Sequence, residues 1–235
     1  MVTTLGGKQM INILYEDNHI IVCVKPENVP SQKDSSNDLD MVSMLKDYLK
    51  VKYNKPGDAY LGLVHRLDRP VGGVMVFAKT SKAAKRLSLD IQNNLLHKKY
   101  LAVCEGTFEE DEGKYVDKIE RLSNGNSIVS ENGKEGILYY EVLKQAYNKA
   151  LVSIDLITGR HHQIRVQFKN HAHPLCGDQR YNKQDKTQLA LFSYYLEFTH
   201  PVKKTTMKFI NLPKEYGYFK EFSQEIKKLN EKNMY

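Results

Sequence analysis

Asp68 stands between two arginines in the stretch Val64-His65-Arg66-Leu67-Asp68-Arg69-Pro70, which runs on through Gly72-Gly73 into the apolar Val74-Met75-Val76-Phe77-Ala78. A neighbouring cation within a few ångströms lowers a carboxyl pKa by roughly 1 to 3 units, so an aspartate placed there stays charged. A charged carboxylate is a nucleophile or a base. The same grouping also serves as a plain ion pair fixing a turn. A second stretch, Thr158-Gly159-Arg160-His161-His162-Gln163-Ile164-Arg165-Val166-Gln167, reads as a strand ending at Gly159 and a basic, histidine-bearing helix beginning after it. Arg160 at a helix N-terminus suits a phosphate, and Arg165, further in, can grip a carboxylate with two parallel hydrogen bonds. A third, Lys98-Lys99-Tyr100, offers an aromatic face beside two cations, which suits a stacked base and its phosphates. Taken singly, the helix reads equally as a solvated charged face and Tyr100 as a core tyrosine.

The histidines near the middle of the chain pose a metal question, because His171, His173 and Cys176 lie close together. A zinc site needs three or four converging ligands with their own supporting shell. Pro174 and the following Gly-Asp-Gln-Arg-Tyr read as loop instead, so no metal is expected. His65 reads as a hydrogen-bonded structural residue. Cys23, Cys104 and Cys176 are far apart and odd in number, which suits small buried hydrophobes better than disulfides.

The elements that must position these residues follow from periodicity. Residues 12–26 read as two short strands about Glu16-Asp17-Asn18, with the pairing ended by Pro26 and Pro30. Met41, Met44, Leu45, Tyr48 and Leu49 share a helix face, with Asp38 or Asp40 as its cap. Gly72–Thr80 is a buried strand, and 81–92 a helix capped by Ser81 with Ala84, Leu87 and Ile91 inward. Strands follow at 98–106 and 150–159, with hairpin turns at Asn124-Gly125 and Asn132-Gly133 between them. Residues 189–213 form a late hairpin, and an amphipathic helix over 215–232 closes the chain. Strands and helices intermix without strict alternation, so the expected class is α+β around a bent, mixed, mainly antiparallel sheet.

The chain has 235 residues, 41% of them hydrophobic, with a formal charge of +7. That is enough for a packed core, and the basic balance favours an anionic partner such as nucleic acid. No apolar run reaches the roughly 18 residues a membrane helix needs, and the first residues lack the pattern of a signal peptide, so a cytoplasmic protein without membrane contact is expected. No repeat or linker divides the sequence. One domain over 11–235 is expected, with a flexible segment over 1–10, and a monomer by default.

Taken in order, His65-Arg66-Leu67-Asp68-Arg69 followed by a glycine and the Phe77-Ala78-Lys79-Thr80 strand, then Lys98-x-Tyr100, then the 158–167 stretch and His173-Pro174-Leu175-Cys176-Gly177-Asp178-Gln179-Arg180-Tyr181-Asn182, resemble the RluA family of RNA pseudouridine synthases. The likeness runs from about Ile13 to Pro201. It implies that Asp68 is the catalytic aspartate, that Tyr100 packs against the target base, and that Arg165 pairs with Asp68, with Ile164 its apolar neighbour. It implies a role for Arg66 in bracing the space left by an extracted nucleotide, and a pseudouridine synthase fold with its site in a central basic cleft. Arg160, Lys98 and Lys99 are expected to contact the RNA, ribosomal or transfer. The reaction breaks the N1–C1′ bond of a uridine and joins C5 to C1′ with no net redox change, so no cofactor is expected. Members commonly carry Thr-Ser-Gly where this chain has Val71-Gly72-Gly73. Many carry an N-terminal S4 RNA-binding domain, which residues 1–10 are too short to hold, so RNA recognition is expected from the catalytic domain itself. The competing readings are an RNA-binding protein or RNA chaperone of the same fold without turnover, and a nucleoside or glycoside hydrolase.

Overall fold

The strand that follows Asp68, β5 (Gly72–Ala78), is buried along its whole length, as a continuous apolar run must be when both its faces are covered. In the computed structural model, which describes residues 2–3, 11–54, 56–182 and 185–232, it belongs to the first of two compact units, formed by residues 1–96 and 195–211. Here β2 (Ile11–Glu16), β3 (Ile20–Lys25) and β5 pair antiparallel in chain order, and the short β4 (Gly62–Leu63) also pairs with β5. Ile20, Val22, Val74, Val76 and Ala78 bury one face of these strands under Ala83 and Leu87 of helix α2 (Ser81–Gln92). Of the first ten residues only Val2 and Thr3 are described, as a strand β1 against Asn12 and Ile11. The rest of the segment expected to be flexible lies outside the described residues.

Helix α1 (Met41–Lys52) buries the apolar stripe read from the sequence, and Asp40 caps it by accepting from Val42 N (2.9 Å) and Ser43 N (3.2 Å). The cap of α2 differs from the expected Ser81. Thr80, in extended conformation, accepts from Ala83 N at 3.2 Å. Both residue types cap well, and the extended backbone at position 80 puts the boundary one residue earlier.

The second unit comprises residues 97–194 and 212–235. Its strands run in the order β6 (His97–Glu105), β10 (Lys149–Leu156), β9 (Lys134–Ala146), β7 (Glu112–Arg121) and β8 (Ser127–Val129), each antiparallel to the next. The Asn-Gly pairs lie in the turns on either side of β8, with Gly125 N bonded to Leu122 O and Gly133 N to Ser130 O. Helix α3 (Gln163–Asn170) covers one face of this sheet, where Phe168 packs edge-on to Tyr115 and Tyr140. Strand β11 (Leu191–Thr199) passes from the second unit into the first and there pairs with β12 (Thr206–Ile210), the expected late hairpin. The closing segment is a 3₁₀ turn over Gly217–Phe222 before α4 (Ser223–Lys232), rather than one helix. Cys23, Cys104 and Cys176 are buried free thiols. The class is α+β.

Candidate active site

Asp68 lies in the first unit, on the segment from β4 to β5, outside any strand. A backbone that leaves the sheet must find other partners for its polar groups, and here they close in on both sides of the aspartate. Ser31 Oγ donates to Leu67 O (2.8 Å) and accepts from Leu67 N–H (3.1 Å). Lys25 Nζ donates to Arg69 O (3.0 Å) and also to Val29 O (2.6 Å) and Pro26 O (2.9 Å). The Asp68 carbonyl accepts from Val71 N–H at 3.0 Å. His65 Nε2 accepts from Val76 N–H (3.1 Å), which ties the start of the segment to β5. Leu67, Asp68 and Arg69 are thereby held by groups from β3 and the loop after it.

Lys25 is fully buried. Burial lowers its pKa to about 7, against the pull of the Asp68 and Glu27 charges and with a push from Arg69. Nothing in the motif around Asp68 pointed to it. The signal was a lysine ending the otherwise apolar Ile20–Val24 run, just before Pro26. The Arg69 guanidinium is turned away from the role read for it. Its Nη1 donates to Ser36 Oγ (2.9 Å) and lies 3.7 Å from Asp34, while Nη2 pairs with Asp38. Arg66 is exposed.

Gly73 is set at φ +136°, a region that side-chain-bearing residues rarely adopt, and stands in register opposite Lys25. Of Val71-Gly72-Gly73, the last thus keeps a glycine at the one of the three positions where the backbone requires it.

In the second unit, β6 carries Lys98, Lys99 and Tyr100. Tyr100 stands opposite Ile154, which stands opposite Tyr140. Cross-strand partners share a face, and Tyr140 meets Phe168, so Tyr100 points to the α3 side, where it is buried. Lys98 has the same parity, and its ammonium sits beside Gly159, 3.7 Å from where a Cβ there would be. Burial lowers its pKa. Lys99, opposite Asp155, which in turn stands opposite Tyr139, belongs to the other face. The adjacent lysines read together from the sequence are therefore on opposite sides of the sheet, as a period of two dictates.

Helix α3 begins at Gln163, not after Gly159. Arg160 lies ahead of it in the loop, with Nε donating to Glu135 O at 2.7 Å and its N–H to Gln163 Oε1 at 3.0 Å. It does not form the helix N-terminus that was expected. The Gln163 side chain, also bonded to Thr158 Oγ1 (2.8 Å) and Ile137 O (3.1 Å), fastens the first turn. Ile164 and Arg165 are buried. Arg165 donates from Nε to Asp178 Oδ2 (2.8 Å) and from Nη2 to Asp178 Oδ1 (2.7 Å), and its guanidinium lies 5.1 Å from the Tyr181 ring centre. Asp178 Oδ1 also accepts from the N–H groups of Arg180 and Tyr181, each at 3.2 Å. Asp178 is the carboxylate that the sequence reading passed over, although it lies within the quoted 173–182 motif.

Around it, Tyr181 OH bonds His162 Nδ1 (2.7 Å) and Ser127 N–H (2.9 Å), and Ser127 Oγ bonds His161 Nδ1 (2.9 Å). His171 stacks on Tyr115 and bonds Asp117, and His173 stacks on Phe108. Among the described residues no group of His, Cys, Asp and Glu converges as a metal site would require.

A basic α+β chain whose arginine-flanked carboxylate sits on a pinned loop has the outline of an RNA-modifying enzyme. The sequence model of the RNA pseudouridylate synthase family matches residues 19–170, and the chain belongs to that family of RNA isomerases, the one its motif order implied. It is 31% identical over 216 residues to a ribosomal large subunit pseudouridine synthase C of Buchnera aphidicola, covering 86% of this chain and 67% of that one. It is 35% identical over 217 residues to an uncharacterized RNA pseudouridine synthase of Aquifex aeolicus, covering 85% and 68%. Among solved structures, human RNA pseudouridylate synthase domain containing 4 superposes with a TM-score of 0.74 at 22% identity, over 92% of this chain and 93% of that one, a likeness of fold.

Proposed function

We propose that this protein converts uridines of large-subunit ribosomal RNA to pseudouridine, with Asp68 as the catalytic carboxylate. The observation that carries the reading is the double fastening of Leu67 and Arg69 about Asp68 by Ser31 and Lys25. A reaction that depends on one oxygen being aimed at a sugar or ring atom needs such fixing, since small misplacements cost large factors in rate. The names of similar proteins support ribosomal RNA as the substrate.

The uridine must leave its stack, at a cost of a few kcal/mol. Stacking on Tyr100 returns ~1–3 kcal/mol, and contacts from Arg66, Arg160 and Lys98 to phosphates offset the rest at moderate salt, while Lys99, on the other face of the sheet, takes no part beside Tyr100. Asp68 then acts in its charged form, by attack at C1′, by attack at C6, or by taking the C2′ proton to open a glycal route. In each route the N1–C1′ bond breaks, the base turns, C5 joins C1′, the C5 proton leaves to solvent while N1 takes one up, and Asp68 is returned as the free carboxylate. Ile164 walls the base in this reading, and Arg165 steadies that wall through its paired bonds to Asp178. The protein works as a cytoplasmic monomer and needs no cofactor.

The test is to incubate the purified protein with protein-free large-subunit ribosomal RNA and, separately, with transfer RNA, and to map pseudouridine by chemical adduct and primer extension. New stops in the ribosomal RNA are expected. Stops in transfer RNA alone would overturn the substrate, and free uracil would overturn the isomerase reading in favour of hydrolysis.

A further inference from the structure

Leu67 is buried, lies outside any strand, and yet has both backbone polar groups satisfied by one side chain. In an antiparallel sheet the N–H and C=O of a residue are met by the matching groups of a neighbouring residue. At Leu67 the Ser31 hydroxyl replaces that neighbour, giving its single proton to the carbonyl at 2.8 Å and a lone pair to the N–H at 3.1 Å. Ser31 is itself buried, 36 residues away in sequence, and its other polar contact is the Met75 sulfur at 3.8 Å, too long to compete for the proton. A hydroxyl both donates and accepts from one atom, which an alanine cannot do and a thiol does only weakly. The carbonyl it holds is that of the peptide joining Leu67 to Asp68, and the N–H is that of the peptide just before it.

We propose that Ser31 is a positioning residue for the isomerisation, fixing the carboxylate of Asp68 through the Leu67 peptide. The proposal rests on the assignment of Asp68 as the catalytic group. Without the hydroxyl, the Leu67 N–H and C=O must turn toward water, and Asp68 turns with them. Ser31 touches no RNA in this account, so its loss acts on the rate of the bound complex and not on binding.

The experiment measures single-turnover isomerisation and RNA affinity for wild type, Ser31→Ala, Ser31→Thr and Asp68→Asn, with thermal melting alongside. Ser31→Ala is expected to lose at least tenfold in the single-turnover rate while its RNA Kd stays within twofold. Ser31→Thr, which keeps the hydroxyl, is expected to stay within threefold of wild type. A Ser31→Ala rate equal to wild type, or a loss confined to Kd, overturns the proposal. If Ser31→Ala fails to fold, Ser31→Thr decides: near wild-type rate supports the proposal, and a folded but inactive Thr variant overturns it. Turnover by Asp68→Asn removes the underlying assignment instead, whereas a silent Asp68→Asn beside an undiminished Ser31→Ala removes only the role of Ser31.

Discussion

Arg165 and Asp178 face each other with two parallel hydrogen bonds, Nε to Oδ2 at 2.8 Å and Nη2 to Oδ1 at 2.7 Å, with side chains only 6% and 1% exposed. Removing one member leaves the other charge buried and uncompensated, at a cost of about 3–5 kcal/mol. Arg165→Ala is therefore expected to lower the urea midpoint sharply and to reduce the yield of soluble protein. Arg165→Lys cannot reproduce the planar two-point contact and should fall in between. Unchanged urea midpoints for both variants would contradict the pairing.

Lys25 gives a pH dependence whose sign follows from its depressed pKa. Its ordinary value is 10.5 and its folded value about 7, with Asp68, Glu27 and Arg69 the charges around it. Between those values the unfolded chain holds more protons at this position, so its contribution to stability rises with pH across that window, and below the lower value the full cost of a buried ammonium is present. A neutral amine has two N–H groups for the three carbonyls of Pro26, Val29 and Arg69, so alkaline pH frees one of them. Turnover should fall as pH rises through about 7. Lys25→Met should turn over more slowly and lack that limb in its rate profile. A variant that keeps the wild-type alkaline limb would exclude Lys25 as its source.

Glu16 gives the opposite sign. Burial favours its neutral form, but hydrogen bonds from Lys52, Lys79, Tyr53 and Tyr48 outweigh that and hold its pKa at about 2, below the ordinary 4.5. Its contribution is complete above the ordinary value and is lost as pH falls through the folded one. Glu16→Gln should cost about 2 kcal/mol near neutrality and flatten the acid side of the stability curve. Parallel acid titrations of wild type and variant, followed by circular dichroism, measure the difference.

Gly73→Ala places a Cβ on a residue at φ +136°. A cost of about 1–3 kcal/mol is expected, read as a melting temperature lowered by roughly 2–4 °C per kcal/mol at this chain length. Gly57→Ala, with open space around the added atom, is the control and should melt like wild type.

The local parts of this molecule were legible in its sequence. The uninterrupted run Val74–Ala78 has one outcome, a strand buried on both faces, and the Asn124-Gly125 and Asn132-Gly133 pairs have the backbone freedom that hairpin turns demand. Asp40 was one of two caps offered for α1, and the choice between them needed only the position of the first helical turn. The start of α3 was missed because the turn through Arg160-His161-His162 carries no proline or capping side chain to mark it, and His162 enters a left-handed conformation at φ 56°. That delay moved Arg160 off the helix.

What could not be read was the partnership of distant residues. Asp68 was visible as a charged group between arginines, but the groups that fasten its neighbours, Lys25 and Ser31, come from a strand end and a loop about 40 residues earlier. Arg69 was credited with tuning Asp68, and Asp34 and Asp38 claim it instead. Asp178 was in view inside a motif, yet nothing local says that its partner is an arginine one helix back.

The most direct measurement of the central claim is tritium release from RNA labelled at C5 of uridine, comparing wild type with Asp68→Asn, a change that removes the negative charge and keeps the shape. Steady release by the wild type and none above background by a variant that melts normally and still binds RNA is the predicted result. Release by Asp68→Asn at a rate close to wild type would contradict the account.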